Sequence, residues 1–244
     1  MQDAGSAYTL RYIQRIRPPF RSTSIMMRTV ALELYADLVC PWCWIGDRRL
    51  FAALDAVRAR HPGVRFDLTW RPFQLDPTVP AEGREWSEVI EHKFGGALRA
   101  APMFERVASA GAGDGIAFDF DRITRAPNTV RGHAVVMHAQ HRAVDPWPLV
   151  EALFAAYFTH GEDLGDADVL VRHATAAGLD EVEVRNVLET GRYDVDVQQG
   201  QRDAVRLGIQ GVPFLVLDGR YGVSGAQPIE VFEQALERVA TEEA

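Results

Sequence analysis

Apolar and polar residues alternate from Val30 to Asp37 (V-A-L-E-L-Y-A-D), the period of a half-buried strand. After Cys40-Pro41 the period changes. Leu50, Phe51, Leu54 and Val57 fall on one stripe at helical spacing, and His61-Pro62-Gly63 stops that helix. Alternation returns from Val64 to Phe73 (V-R-F-D-L-T-W-R-P-F). Strand, helix and strand within about 45 residues make a βαβ unit, in which the two strands are parallel neighbours.

From about Pro77 to Arg192 the pattern is helical, with almost no strand signal. The spacing predicts helices over Trp86–Phe94, Ala101–Ala110, Thr129–Arg142, Pro148–His160, Asp168–Ala177 and Asp180–Thr190, with Gly178 and Gly191 as C-caps of the last two. Gly111-Ala112-Gly113-Asp114-Gly115 reads as a linker between helices, because it lacks the spacing of a phosphate loop and follows no strand. The first pattern then resumes. Asp194–Leu207 is helical and ends at Gly208, Val212–Leu217 is an apolar strand, Asp218-Gly219 is a two-residue hairpin turn, and Arg220–Ser224 is the return strand. Pro228 suits the first turn of a last helix whose stripe is Ile229, Phe232, Leu236 and Val239. The order β-α-β, helical insert, α-β-β-α predicts an α/β fold. Residues 29–76 and 193–244 form its two parts, 77–192 an inserted helical domain of about 115 residues, and 1–28 an N-terminal extension.

Bulk composition narrows the function. With 47% hydrophobic and 25% charged residues, the 244-residue chain is ordinary for a globular protein and long enough to bury a core without staples. The net charge is −8, Lys93 is the only lysine, and no basic stripe exists, which argues against nucleic acid and anionic membranes as partners. No apolar run approaches the ~20 residues of a membrane helix. Met1–Arg28 carries five arginines against a lone Asp3 but no continuous apolar stretch, so it does not read as a secretory signal. It reads as a disordered extension or a start codon placed too early, ahead of a transit peptide as the weaker alternative.

Cys40 and Cys43 are the two cysteines, too few for a disulfide scaffold, so their closeness in C-P-W-C is a chemical signal. At a helix start, a spacing of three puts both on one face and within disulfide range. The unpaired N–H groups and positive dipole end favour a thiolate at Cys40. Cys43, one turn in, is more shielded. Cys40 is therefore the attacking sulfur and Cys43 the resolving one. Pro41 fits because the N–H it lacks would have no partner there, and Trp42 can cover the pair while leaving an edge of Cys40 open. Rival readings are weaker. Zinc would need two further ligands, and His133, His138 and His141 lack metalloprotease spacing and read as a solvated helix face. A structural disulfide across so short a loop removes little unfolded-state entropy. Trp70 and Phe73 read as core aromatics. Asp37 is close to the pair in sequence and can oppose the thiolate.

Three separated segments carry a resemblance. Asp37-Leu38-Val39-Cys40-Pro41-Trp42-Cys43-Trp44-Ile45-Gly46, Trp70-Arg71-Pro72-Phe73-Gln74-Leu75, and Gly211-Val212-Pro213-Phe214 followed by Ser224-Gly225-Ala226-Gln227 resemble the DsbA-like oxidoreductases, and among them the FrnE-like group related to 2-hydroxychromene-2-carboxylate isomerases. The resemblance spans about Val30 to Val239. It implies a thioredoxin-like fold with a helical insertion, a cytoplasmic location and a cis Val212–Pro213 bond, where sequence alone favours trans. It also implies that the loop of Val212 and Pro213 faces the cysteines and offers backbone to a bound peptide. Substrate contacts are expected from Pro41, Trp42, Val212 and Pro213. Asn128, with Thr129 and His133, resembles a cleft-lining segment, and reads equally well as a helix N-cap. The additional C-terminal cysteine pair that FrnE-like proteins can carry is lacking here.

Three functions compete. One is dithiol–disulfide exchange with protein or peptide thiols and disulfides, with no required cofactor. The second is a glutathione-dependent isomerase or transferase, with glutathione as co-substrate and a small aromatic or polyketide-like substrate. The third is a non-catalytic holdase or peptide-binding module. A homodimer is left open.

Overall fold

The period-two pattern of the first and second apolar segments resolves into β1 (Arg28–Ala36) and β2 (Val64–Pro72), parallel and in register from Arg28↔Val64 to Ala36↔Pro72. Helix α1 (Pro41–Arg60) connects them. The structure, a computed structural model, describes residues 27–242; the expectations for the leader lie outside these residues, except that Arg28 already belongs to β1. On its other edge β1 pairs antiparallel with β5 (Phe214–Leu217), which turns through Asp218-Gly219 into β6 (Tyr221–Ser224), so the sheet order is β2-β1-β5-β6. Asp218 and Gly219 both take positive φ, 54° and 64°, as the Asp-Gly turn requires.

Alternation along the strands divides the core between two faces. Val30, Leu32, Leu34, Leu215 and Leu217 join α1 and α9 (Ile229–Thr241) in the main core, where the stripe of Leu50, Leu54, Val57, Phe232, Leu236 and Val239 meets them. Tyr35 and Val216 point the other way and pack with Phe73, Ile209 and Ala204 of α8 (Asp194–Arg206).

Between β2 and α8 lies the helical insertion. It comprises α2 (Trp86–Phe94), α3 (Ala97–Gly113), α4 (Val130–His141), α5 (Trp147–Phe158), α6 (Ala167–Ala176) and α7 (Glu181–Thr190), with a two-residue bridge between β3 (Arg84–Glu85) and β4 (Arg125–Ala126). The thioredoxin-like α/β fold with a helical insertion is thus present.

Three local readings are corrected. The segment from Gly111 to Gly113 is helix rather than linker: α3 runs through it because the Phe118 ring packs so tightly on Gly111 that a Cβ there would lie 2.4 Å from Phe118 Cε2. Ala177 caps α6, with Gly178 one residue beyond at φ 98°, whereas Gly191 caps α7 as expected. His133 and His138 are buried, not solvated, because α4 is enclosed by β2, α7 and α8. Each finds a polar partner there, Trp70 and Asp37 for the first and Tyr193 for the second. Trp70 and Phe73 are core aromatics, as read.

Candidate active site

The chain leaves β1 at Ala36 and makes one turn, with the Cys40 N–H donating to the Asp37 carbonyl at 3.0 Å, before α1 begins. Cys40 is the N-cap, in extended conformation (φ −102°, ψ 107°), and its side chain makes no capping bond. Its sulfur is left free of any capping bond at the helix N-terminus, with Pro41 at the helix start. The Cys43 N–H donates to the Cys40 carbonyl at 2.9 Å, which sets the two side chains one turn apart. Both are free thiols. Cys40 keeps 4% exposure and Cys43 none.

Their environments differ in the direction the chemistry needs. Burial pushes the Cys43 thiol well above its ordinary range, and the Cys40 sulfur and the Asp37 carboxylate act in the same direction; the Asp37 backbone opposes them by hydrogen bonding. At rest Cys43 therefore keeps its proton.

The loop before β5 faces the pair. The Val212–Pro213 peptide bond is cis, and the Cys40 thiol donates to the Val212 carbonyl at 3.6 Å. The Ser224–Gln227 segment backs this loop, with the Gly225 N–H donating to the Pro213 carbonyl at 2.8 Å. Arg49 of α1 ties that segment down, donating to the Ala226 carbonyl at 2.9 Å while pairing with Asp114. The three motifs singled out in the sequence thus meet around Cys40.

Sequence reasoning did not foresee two features. One is a buried polar chain behind the cysteines. Trp70 Nε1–H donates to His133 Nδ1 at 3.2 Å, His133 Nε2 contacts Asp37 Oδ1 at 3.2 Å, and the Leu75 N–H donates to Asp37 Oδ2 at 2.8 Å. The other is a cavity of about 660 Å³ that opens on Cys40 and Trp42 and reaches into the insertion, with Val212 at one side. Its lining includes a column of rings: Trp86 stacks on Phe104 and Phe104 on Phe120, with centroids 6.0 and 4.6 Å apart. Thr129 and Pro127 line it. Asn128, between them, uses its amide elsewhere: it donates to the Val79 carbonyl at 2.6 Å and accepts from the Val130 N–H at 3.0 Å. Among the described residues no His, Cys, Asp or Glu cluster is placed to hold a metal, and no helix is long and apolar enough to cross a membrane.

The sheet, the dithiol at the first helix start and the facing Val-Pro loop define a DsbA-like thioredoxin-fold protein. The chain belongs to the DSBA-like thioredoxin domain family, which matches it over residues 31–237. The uncharacterized protein YwbO of Bacillus subtilis is 26% identical over 221 residues, 85% of this chain and 96% of YwbO. Among solved structures, SCO1869 of Streptomyces coelicolor, described as a probable DsbA oxidoreductase, is 34% identical with a TM-score of 0.78, covering 88% of this chain and 92% of that one. The cytosolic disulfide reductase DsbM of Pseudomonas aeruginosa, solved with glutathione, is 21% identical (TM-score 0.58, 85% and 98% covered). A 2-hydroxychromene-2-carboxylate isomerase is 13% identical (TM-score 0.61, 86% and 95% covered). These last two share the fold.

Proposed function

We propose that the protein is a dithiol–disulfide oxidoreductase in which Cys40 attacks and Cys43 resolves. The observation that carries this reading is the asymmetry of the pair. Cys40 sits uncapped at a helix N-terminus and opens on a cavity, whereas Cys43 is sealed and held protonated. Cys40 attacks a substrate disulfide to give a mixed disulfide. Cys43 then passes its proton to the adjacent Asp37 carboxylate and attacks Cys40, and substrate leaves as the thiol. Val212, with Pro213 beside it, offers its backbone to the substrate segment next to the reacting sulfur. In a reducing compartment such as the cytoplasm the resting state is the dithiol. Insulin reduction and refolding of scrambled ribonuclease test the reading: wild type is active in both and Cys40→Ser in neither. Equal behaviour of the two overturns it.

The cavity favours a second reading, a glutathione-dependent reaction on a small apolar molecule. Its volume falls within the ~300–1,000 Å³ of small-molecule sites, and its lining includes both Cys40 and the stacked rings of Trp86, Phe104 and Phe120. Glutathione would sit along Val212 with its sulfur at Cys40, and the ring wall would take the second substrate. Isothermal titration of the reduced protein with glutathione tests this, and absence of binding removes it.

A further inference from the structure

We propose that His133 is a positioning residue for the resolving step, holding the Asp37 carboxylate in place to take the proton of Cys43, with its own tautomer dictated by Trp70. This rests on the oxidoreductase reading above.

The argument begins with donor and acceptor types. An indole N–H can only donate, so His133 Nδ1, 3.2 Å from Trp70 Nε1, must present a lone pair. The imidazole proton then lies on Nε2, where it can only be donated to Asp37 Oδ1. The second carboxylate oxygen receives the Leu75 N–H. Trp70, His133, Asp37 and Cys43 are all at most 1% exposed, so these bonds are strongly shielded from solvent although Asp37 borders the cavity.

Cys43 of α1 and Tyr157 of α5, whose hydroxyl donates to the Arg125 carbonyl at 3.2 Å, both sense the Asp37 carboxylate and carry no positive charge. Asp37 also lines the cavity, whose walls include Arg84, His92 and Lys93, and among the described residues none of these three pairs with it. His133, on α4, is the single ion-pair partner of Asp37 among the described residues, and its tautomer makes that contact a neutral hydrogen bond. A neutral donor orients the carboxylate without cancelling its charge, so the carboxylate can still accept a proton. His133 touches neither sulfur nor substrate, and its effect passes through Asp37.

The step balances. With substrate on Cys40 as a mixed disulfide, the Cys43 S–H bond breaks and its proton goes to Asp37. The Cys43 sulfur forms a bond to Cys40, the bond from Cys40 to the substrate sulfur breaks, and its electron pair leaves with the substrate thiolate. That thiolate is then protonated through Asp37 or water. The two cysteines are oxidised and the substrate disulfide is reduced.

The test uses the reduced full-length protein and 5,5′-dithiobis(2-nitrobenzoate), which releases one coloured thiolate when Cys40 attacks and a second when Cys43 resolves. Cys43→Ser, which should show the first release alone, assigns the phases. In His133→Ala and Trp70→Phe the first release should match wild type, showing that Cys40 and its helix are intact. The second should slow by about tenfold or more, with its pH midpoint moved upward. His133→Gln, which restores an N–H donor, should recover most of the rate. An unchanged second phase and pH midpoint in both His133→Ala and Trp70→Phe overturns the proposal. A wild type with no release assignable to Cys40 would instead overturn the oxidoreductase reading.

Discussion

Gly46 lies directly beneath Pro213: a Cβ at Gly46 would come within 2.8 Å of Pro213 Cγ and 3.5 Å of Ala226 Cα. The missing side chain lets α1 approach the loop closely enough for the Cys40 sulfur to reach the Val212 carbonyl. Gly46→Ala should push that loop away from the dithiol. The expected outcome is a fall in insulin reduction of about tenfold and a loss of about 1–3 kcal/mol in denaturant unfolding, the usual cost of overpacking. A variant with wild-type rate and stability would show that the loop yields freely and that its contact with α1 does not set the site.

The unequal burial of the sulfurs predicts an order of modification. At neutral pH iodoacetamide should label Cys40 first, since it opens on the cavity. Cys43, sealed and held protonated, should be labelled only after unfolding. Peptide mass spectrometry at increasing times reads this directly. Equal labelling of both sulfurs in the native protein would contradict the division of roles.

How much of this was legible beforehand follows from the range of the interactions. Strands and helices set by local periodicity could be read as elements, with ends within about four residues of those found. Trp86–Phe94 is both expected and found, and the Asp218-Gly219 turn follows from two residues whose backbone tolerates positive φ. The C-P-W-C pair was also legible from its spacing, whereas the Val212-Pro213 loop was legible only through the family resemblance. The buried chain was not. His133 meets Asp37 across 96 positions and Trp70 across 63, and nothing local to α4 distinguishes a histidine facing water from one facing β2. The one local hint is the apolar run that follows, Ala134-Val135-Val136, which marks the start of α4 as enclosed on more than one side. The cavity was equally hidden. Its rings come from α2, α3 and the turn at Phe120, and helical periodicity gives each stripe but not how the stripes face one another.

The cavity offers a way to separate the two functional readings. Val89 of α2 lines it and is only partly exposed. Val89→Trp should fill much of the space. Titration with 1-anilinonaphthalene-8-sulfonate should show saturable binding to the native wild type, and at least about tenfold weaker binding to the variant, in proportion to the apolar surface withdrawn. Insulin reduction should be kept if protein substrates engage only Cys40 and the Val212 backbone. If insulin reduction falls together with dye binding, the cavity also takes a side chain of the protein substrate.

Asp47 supplies a prediction about stability. It is buried on α1, and its Oδ1 has no hydrogen-bond partner. Burial raises its proton affinity well above the ordinary 3.8, Glu151 adds to this, and Arg48 opposes it. The folded protein therefore holds this proton more tightly than the unfolded chain does. By linkage, the contribution of Asp47 is fully present below about pH 4 and is lost as pH rises through the folded value. Carboxylates held below their ordinary range, such as Asp76 and Glu162, slope the opposite way, so the wild-type profile alone does not isolate the effect. The difference between wild type and Asp47→Asn does, because those groups are common to both. The variant should match wild type near pH 4 and become more stable by on the order of 1–3 kcal/mol at pH 7 to 8, the cost of an uncompensated buried polar group. Urea unfolding across that range measures it. A constant difference at every pH would mean that Asp47 titrates alike in the folded and unfolded chain.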